Sequence, residues 1–114
     1  MIKGIGIDLV ELSRFSDISD NFLKQVFNNQ EISAIKHSPI ISSIKFSLKE
    51  AILKALGKGL HFGFFWHNIV LKDDKTTISG VLRQNLSERY FIHTATGISK
   101  NYTCAIAVIE DHID

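Results

Sequence analysis

Asp8 interrupts an otherwise apolar opening run, Gly4-Ile5-Gly6-Ile7-Asp8-Leu9-Val10, near the end of what reads as a strand. A carboxylate buried there without a partner costs roughly several kcal/mol, so Asp8 must face a cleft, hold a cation or cap the turn that follows. Glu50 and Lys54 are four residues apart and share one helical face, while Ala51 and Ala55 turn the adjacent face to the core. An exposed Glu and Lys at this spacing are commonplace and stabilise by only ~0.3–0.5 kcal/mol. Ser47-Leu48-Lys49-Glu50 also fits a capping box, although the apolar period already begins at Ile44. A chemical reading stands beside these. Two carboxylates from separate elements suit magnesium, which takes one or two protein carboxylates and completes its octahedron with water and phosphate oxygens. A nearby lysine would neutralise charge developing on a transferring phosphate, so the chemistry indicated is phosphoryl transfer.

The elements that must position these residues can be read from periodicity and breakers. Residues 2–10 read as a strand whose glycines permit close backbone approach. Asp20 and Asn29 are candidate N-caps for two short helices, and Pro39 closes that section. Ile44, Leu48, Ala51, Ile52, Ala55 and Leu56 recur at helical spacing, predicting the main helix over 44–56, with Gly57 and Gly59 as its stop. Phe62, Phe64, Phe65 and Trp66 read as core filling ahead of a strand over 68–72. A turn at Asp73-Asp74, a strand over 76–79, a helix over 81–88 and strands over 90–96 and 102–110 complete the chain, with a hairpin turn over 97–101. The order of strand, helices, strands, helix and strands predicts an α+β fold.

Bulk properties bound the function. At 114 residues, 45% hydrophobic and 22% charged, the chain is expected to be a single globular domain over 1–114. A net charge of +1 argues against nucleic acid or an acidic membrane as the main partner. Cys104 lies in an apolar run and reads as a buried thiol, and the five histidines lack zinc-ligand spacing. No stretch is apolar and long enough for a signal peptide or a membrane span, so a reducing cytoplasm is the expected location.

The opening Gly4-Ile5-Gly6-Ile7-Asp8-Leu9-Val10-Glu11 with Arg14, the segment from Phe22 to Glu31, and Phe46-Ser47-Leu48-Lys49-Glu50-Ala51-Ile52-Leu53-Lys54-Ala55 followed by Gly57-Lys58-Gly59 form a pattern. It resembles the holo-acyl-carrier-protein synthases, the small type of 4′-phosphopantetheinyl transferase, whose helix carries F-x-x-K-E-A-x-x-K-A and then G-x-G. The similarity runs through Trp66 and Asn68 to Leu71. It implies a small antiparallel sheet packed against a long central helix and shorter helices. It also implies transfer of 4′-phosphopantetheine from coenzyme A to a serine of an apo acyl carrier protein, or of a specialised carrier, with release of adenosine 3′,5′-bisphosphate. Asp8 and Glu50 would bind Mg2+, and Glu50 would help deprotonate the serine. Lys54 would stabilise the pyrophosphate charge. Lys49, Lys54, Gly57 and Gly59 would contact coenzyme A, with a surface salt bridge as the alternative for Lys49. Arg14 would meet the acidic carrier. The resemblance further implies a homotrimer with the cofactor in a cleft between subunits and a role in fatty acid biosynthesis.

Beyond Leu71 the chain departs from the pattern. Asp73-Asp74-Lys75-Thr76 stands where the family has Asn-Gly-x-Pro, and Ala95-Thr96-Gly97-Ile98-Ser99 where it has Ser-x-Ser-His-Thr. His93-Thr94 could replace the latter only if the hairpin loop were longer. Asn68 replaces a common Asp, and Lys58 a common Thr. These departures motivate an alternative, a non-catalytic relative that binds a carrier protein. An RNase H-like strand with a metal-binding Asp is a third reading, but the later strand candidates carry no further carboxylates over 68–72 or 90–96.

Overall fold

In the computed structural model, which describes residues 1–57, 66–72, 75–84 and 86–112, the chain opens with strand β1, Ile2–Glu11, and a 3-10 turn, Leu12–Phe15. Helices α1 (Asp20–Val26), α2 (Asn29–Ile35) and α3 (Pro39–Ala55) follow. After them come β2 (Ile69–Lys72), β3 (Lys75–Ile78), the short helix α4 (Gly80–Arg83), β4 (Tyr90–Ile98) and β5 (Tyr102–Asp111). The fold is α+β with two antiparallel sheets, one ordered β1-β5-β4 and the other a β2-β3 hairpin.

Local chemistry explains where the helices begin, and it shifts several expected boundaries. Ser19, not Asp20, caps α1, its Oγ accepting from the Phe22 N–H at 3.1 Å. Asn28, not Asn29, caps α2 through a capping box: Asn28 Oδ1 accepts from Glu31 N–H, and Glu31 Oε1 from Asn28 N–H, both at 2.9 Å. Helix α3 starts at Pro39, earlier than the apolar period suggests, with Ser38 Oγ capping the Ile41 N–H. Pro39 therefore opens the helix, since at its first position the missing N–H costs nothing. Ser42 and Ser43 mask this first turn in the apolar pattern. Both are buried, and both donate their hydroxyls to carbonyls a turn earlier. Helix α4 is shorter than the expected 81–88, and the β4-β5 turn is narrower than 97–101, because Gly97 and Ile98 pair with Cys104 and Thr103.

Helix α3 lies directly on β1. A Cβ built at Gly4 would sit 1.8 Å from the Ala55 carbonyl oxygen, and one at Gly6 would sit 1.9 Å from that of Ala51. Backbone meets backbone there, which only glycine allows. The larger core cluster joins α3 to Ile69 and Leu71 of β2, Ile78 of β3, Leu82 of α4 and the inner residues Ala105, Ala107 and Ile109 of β5. A second cluster, Leu23, Val26, Phe27 and Ile35, seals α1 against α2, and Trp66 packs against both. Phe62, Phe64 and Phe65 lie outside the described residues, as does the Asp73-Asp74 turn. The other face of the β1-β5-β4 sheet has no helix of the described residues on it, and Ile5, Ile7, Leu9 and Ile106 are exposed there.

Candidate active site

Two rows of the fold run in step where β1 crosses α3. Two residues of an antiparallel strand advance about 6.8 Å, and four residues of a helix advance about 6.0 Å. Ala55 therefore faces Gly4, and Ala51 faces Gly6. One step further, Ser47 Oγ donates to the Asp8 carbonyl at 3.3 Å. Ser47, Glu50 and Lys54 are spaced three and four apart, so they form one stripe of α3 bordering Asp8.

The side chains converge accordingly. Lys54 Nζ donates to Asp8 Oδ1 and to the Ile7 carbonyl, each at 3.0 Å. The expected i,i+4 ion pair between Glu50 and Lys54 is thus not the one formed. Asp8 caps nothing either, because Glu11 occupies the cap position of the 3-10 turn without a side-chain bond. Glu50 Oε1 accepts instead from the Trp66 indole Nε1–H at 2.6 Å. Burial pushes the Glu50 carboxyl above the usual carboxylate range. The Trp66 bond pulls the other way, the neighbouring Asp8 charge adds to the rise, and Lys54 opposes it. Each carboxylate thus has one oxygen committed. Asp8 Oδ2 is buried and takes no hydrogen bond.

A buried acceptor without a donor is costly unless a cation meets it. Among the described residues no group of three or more His, Cys, Asp or Glu side chains could hold a metal. An ion between Asp8 and Glu50 would therefore take its remaining ligands from water or substrate oxygens, which is how magnesium is usually held. The donor set fits such an ion, and the Lys54 ammonium beside it fits an anionic substrate.

Lys49 requires a correction. Neither a cofactor contact nor a surface salt bridge describes it, because it is 0% exposed. Its ammonium donates to Glu31 Oε1 and the Val26 carbonyl, both at 2.8 Å, and to the Trp66 carbonyl at 3.2 Å, which uses all its protons. Burial pulls its pKa down, and Glu31 opposes that. Gly57 has φ +78° and ends α3, its N–H bonding to the Lys54 carbonyl at 3.0 Å. No described atom outside its chain neighbours comes within 4 Å of a Cβ placed there. Gly59 lies outside the described residues. Arg14 is exposed on the 3-10 turn immediately after β1. His93 sits mid-strand opposite Val108 and bonds Glu110 at 2.6 Å, so it cannot stand in for a loop histidine.

Two residues matter to the site in ways their sequence context does not announce. Trp66 reads as core filling, yet its N–H reaches the Glu50 carboxylate; a tryptophan near the core must place that donor somewhere, and this is the available signal. Glu31 is a structural junction. Besides its cap and Lys49 it accepts the Leu71 N–H through Oε2 at 2.8 Å, and nothing local in the sequence foretells that bond.

Residues 4–107 match the family model of the 4′-phosphopantetheinyl transferase superfamily. The holo-[acyl-carrier-protein] synthase of a Geobacter species is 31% identical over 121 residues, spanning 96% of this chain and 97% of its own length. That of Geotalea daltonii is 39% identical over 82 residues, 66% of each chain. A holo-(acyl-carrier-protein) synthase from Bacillus anthracis, crystallised in complex with CoA, superposes with a TM-score of 0.75 at 28% identity, covering 98% of this chain and 99% of that one. The synthase of Neisseria meningitidis shares the fold, with a TM-score of 0.78 at 22% identity over 97% of this chain and 100% of that one. The match continues through the divergent segment after Leu71, and the chain belongs to the holo-acyl-carrier-protein synthases of the 4′-phosphopantetheinyl transferase superfamily.

Proposed function

We propose that the chain transfers 4′-phosphopantetheine from coenzyme A to a serine of an apo acyl carrier protein, or of a specialised carrier, with Asp8 and Glu50 holding Mg2+. The observation that carries the reading is the convergence of Asp8, Glu50 and Lys54 where β1 crosses α3. The relatives' names and the coenzyme A bound to the Bacillus anthracis synthase support it. In this reading residues 1–114 are one catalytic domain. The carrier serine oxygen forms a bond to the pyrophosphate phosphorus nearer the pantetheine, the bond from that phosphorus to the bridging oxygen breaks, and adenosine 3′,5′-bisphosphate departs. Glu50, beside Asp8 on the α3 stripe, would take the serine proton. Bound magnesium supplies neutralisation of the pyrophosphate oxygens. Lys54, whose side chain is 40% exposed, swings from Asp8 to the departing phosphate and offsets its charge. Gly57, at the end of α3, would let the backbone come close to the cofactor, and Arg14 would offer the acidic carrier a cationic contact.

The sheet face that no described residue covers supports a homotrimer. Ile5, Ile7 and Leu9 are 58–65% exposed on β1, beside Ile106 on β5, and two further copies of this chain would bury them. No helix of the described residues is long and apolar enough to cross a membrane. A reducing cytoplasm, where the unpaired Cys104 persists as a thiol, is the compartment this reading implies.

Apo carrier proteins incubated with the chain, coenzyme A and magnesium should gain the phosphopantetheine mass. Glu50→Gln should lower turnover by about 10²–10⁴-fold. If no carrier gains mass while a control transferase labels them all, the reading is wrong. One observation favours the alternative of a non-catalytic carrier-binding relative: His93 is tied to Glu110, and Ala95 to Ser99 replace the family's Ser-x-Ser-His-Thr. Robust turnover would eliminate it.

A further inference from the structure

Trp66 is the chain's one tryptophan, and it is held from three directions. Its carbonyl accepts from the buried Lys49 ammonium, itself fixed by Glu31 and the Val26 carbonyl. Its ring lies against Phe46 and Phe22, with centroids 5.7 and 6.4 Å away. The next residue, His67, is tied through Nε2 to the Lys24 carbonyl at 2.7 Å. A phenylalanine would satisfy the ring contacts. The indole adds one polar atom, and that atom is directed at Glu50 Oε1 at 2.6 Å, the short range of a charge-assisted bond.

From this arrangement we propose that Trp66 is the positioning residue of the site, fixing the Glu50 carboxylate through Oε1 and leaving Oε2 for the ion that Asp8 Oδ2 would share, with the Lys49–Glu31 pair as its anchor. The inference rests on the reading of Asp8 and Glu50 as the magnesium pair. A carboxylate already immobilised in its ligating orientation loses less freedom when an ion arrives, and partners that orient ligands typically contribute 10–100-fold to metal affinity or activity, the order of effect expected here. Both bonds are present together, Lys54 to Asp8 at 3.0 Å and Trp66 to Glu50 at 2.6 Å.

Calorimetric titration with magnesium, with neither coenzyme A nor carrier present, tests this on the full chain. Trp66→Phe, or a benzothienylalanine at 66 that exchanges only the N–H for sulfur if the phenylalanine variant folds poorly, should weaken magnesium binding about 10-fold or more and lower kcat similarly, with the KM for the carrier unchanged. In the unmodified chain, Trp66 fluorescence should shift on magnesium addition, and the shift should disappear in Asp8→Asn. Magnesium affinity unaltered in both Trp66 variants overturns the inference while leaving the transferase reading intact. Weakened affinity in a chain that transfers nothing overturns the transferase reading and supports the inference.

Discussion

At the scale of single residues the site is built on side chains in uncomfortable places. Glu50 has its proton affinity raised chiefly by burial. A carboxyl that holds protons more tightly folded than unfolded makes the folded state bind the extra proton, so stability falls as pH rises through that range. Glu50→Gln should therefore melt a few degrees above the unmodified chain at neutral pH in metal-free buffer, and the gap should close on acidification. A thermal scan at several pH values measures this, and a gap that widens toward acid would contradict it. Lys49 presents the opposite case. Lys49→Met leaves Glu31 buried with only backbone donors, which should cost about 3–5 kcal/mol in urea denaturation. Adding Glu31→Gln should recover part of that loss. These assignments divide by legibility. Asp8 stands out in the sequence because a carboxylate is odd at the end of an apolar strand, whereas Glu50 and Lys54, commonplace at their spacing, are singled out by the Lys-Glu-Ala-x-x-Lys pattern they share with a family. Lys49 and Trp66 do not, because what fixes them is a partner distant in sequence, Glu31 for one and Glu50 for the other.

At the scale of elements, the contact of β1 with α3 decides whether a site exists. Its strand, its glycines and the small residues Ala51 and Ala55 are readable, because close backbone approach demands small residues in step on both elements. Gly6→Ala puts a methyl carbon 1.9 Å from the Ala51 carbonyl, and only a shift of the helix axis can relieve it. The variant should lose more than about 3 kcal/mol, beyond ordinary overpacking. Where it stays folded it should lose turnover too, since the helix carries Glu50 and Lys54 away from Asp8. An alanine there with unmodified stability would refute the close packing. The boundaries are harder to read. Serines open α1 and α3 as caps, and further serines fill the first turn of α3, where hydroxyls bonded to their own helix pass for polar linker residues. The limits of the β4-β5 hairpin are set by strand pairing, which local composition does not encode.

At the scale of the whole molecule, the sheet has one face on α3 and one face without cover among the described residues. On β1, Gly4, Gly6, Asp8 and Val10 point to the helix, so the pleat forces Ile5, Ile7 and Leu9 outward, and Ile106 and Val108 of β5 share that side. Strand alternation places Asp8 and the apolar row on the same ten-residue strand, one pointing to the site and the other to solvent. In the proposed trimer, copies meeting on Ile5, Ile7 and Leu9 would stiffen the strand that holds Asp8, which would link assembly to chemistry. Ile7→Lys keeps the inner face untouched but sets a charge in that contact. It should convert a trimer to a 12.8 kDa monomer by analytical ultracentrifugation, with circular dichroism unchanged. Turnover should then fall steeply and stay low at any protein concentration, whereas the unmodified chain should lose activity only on dilution below its assembly range. An unmodified chain that is monomeric and fully active would disprove the link, and the exposed isoleucines would then need a different partner.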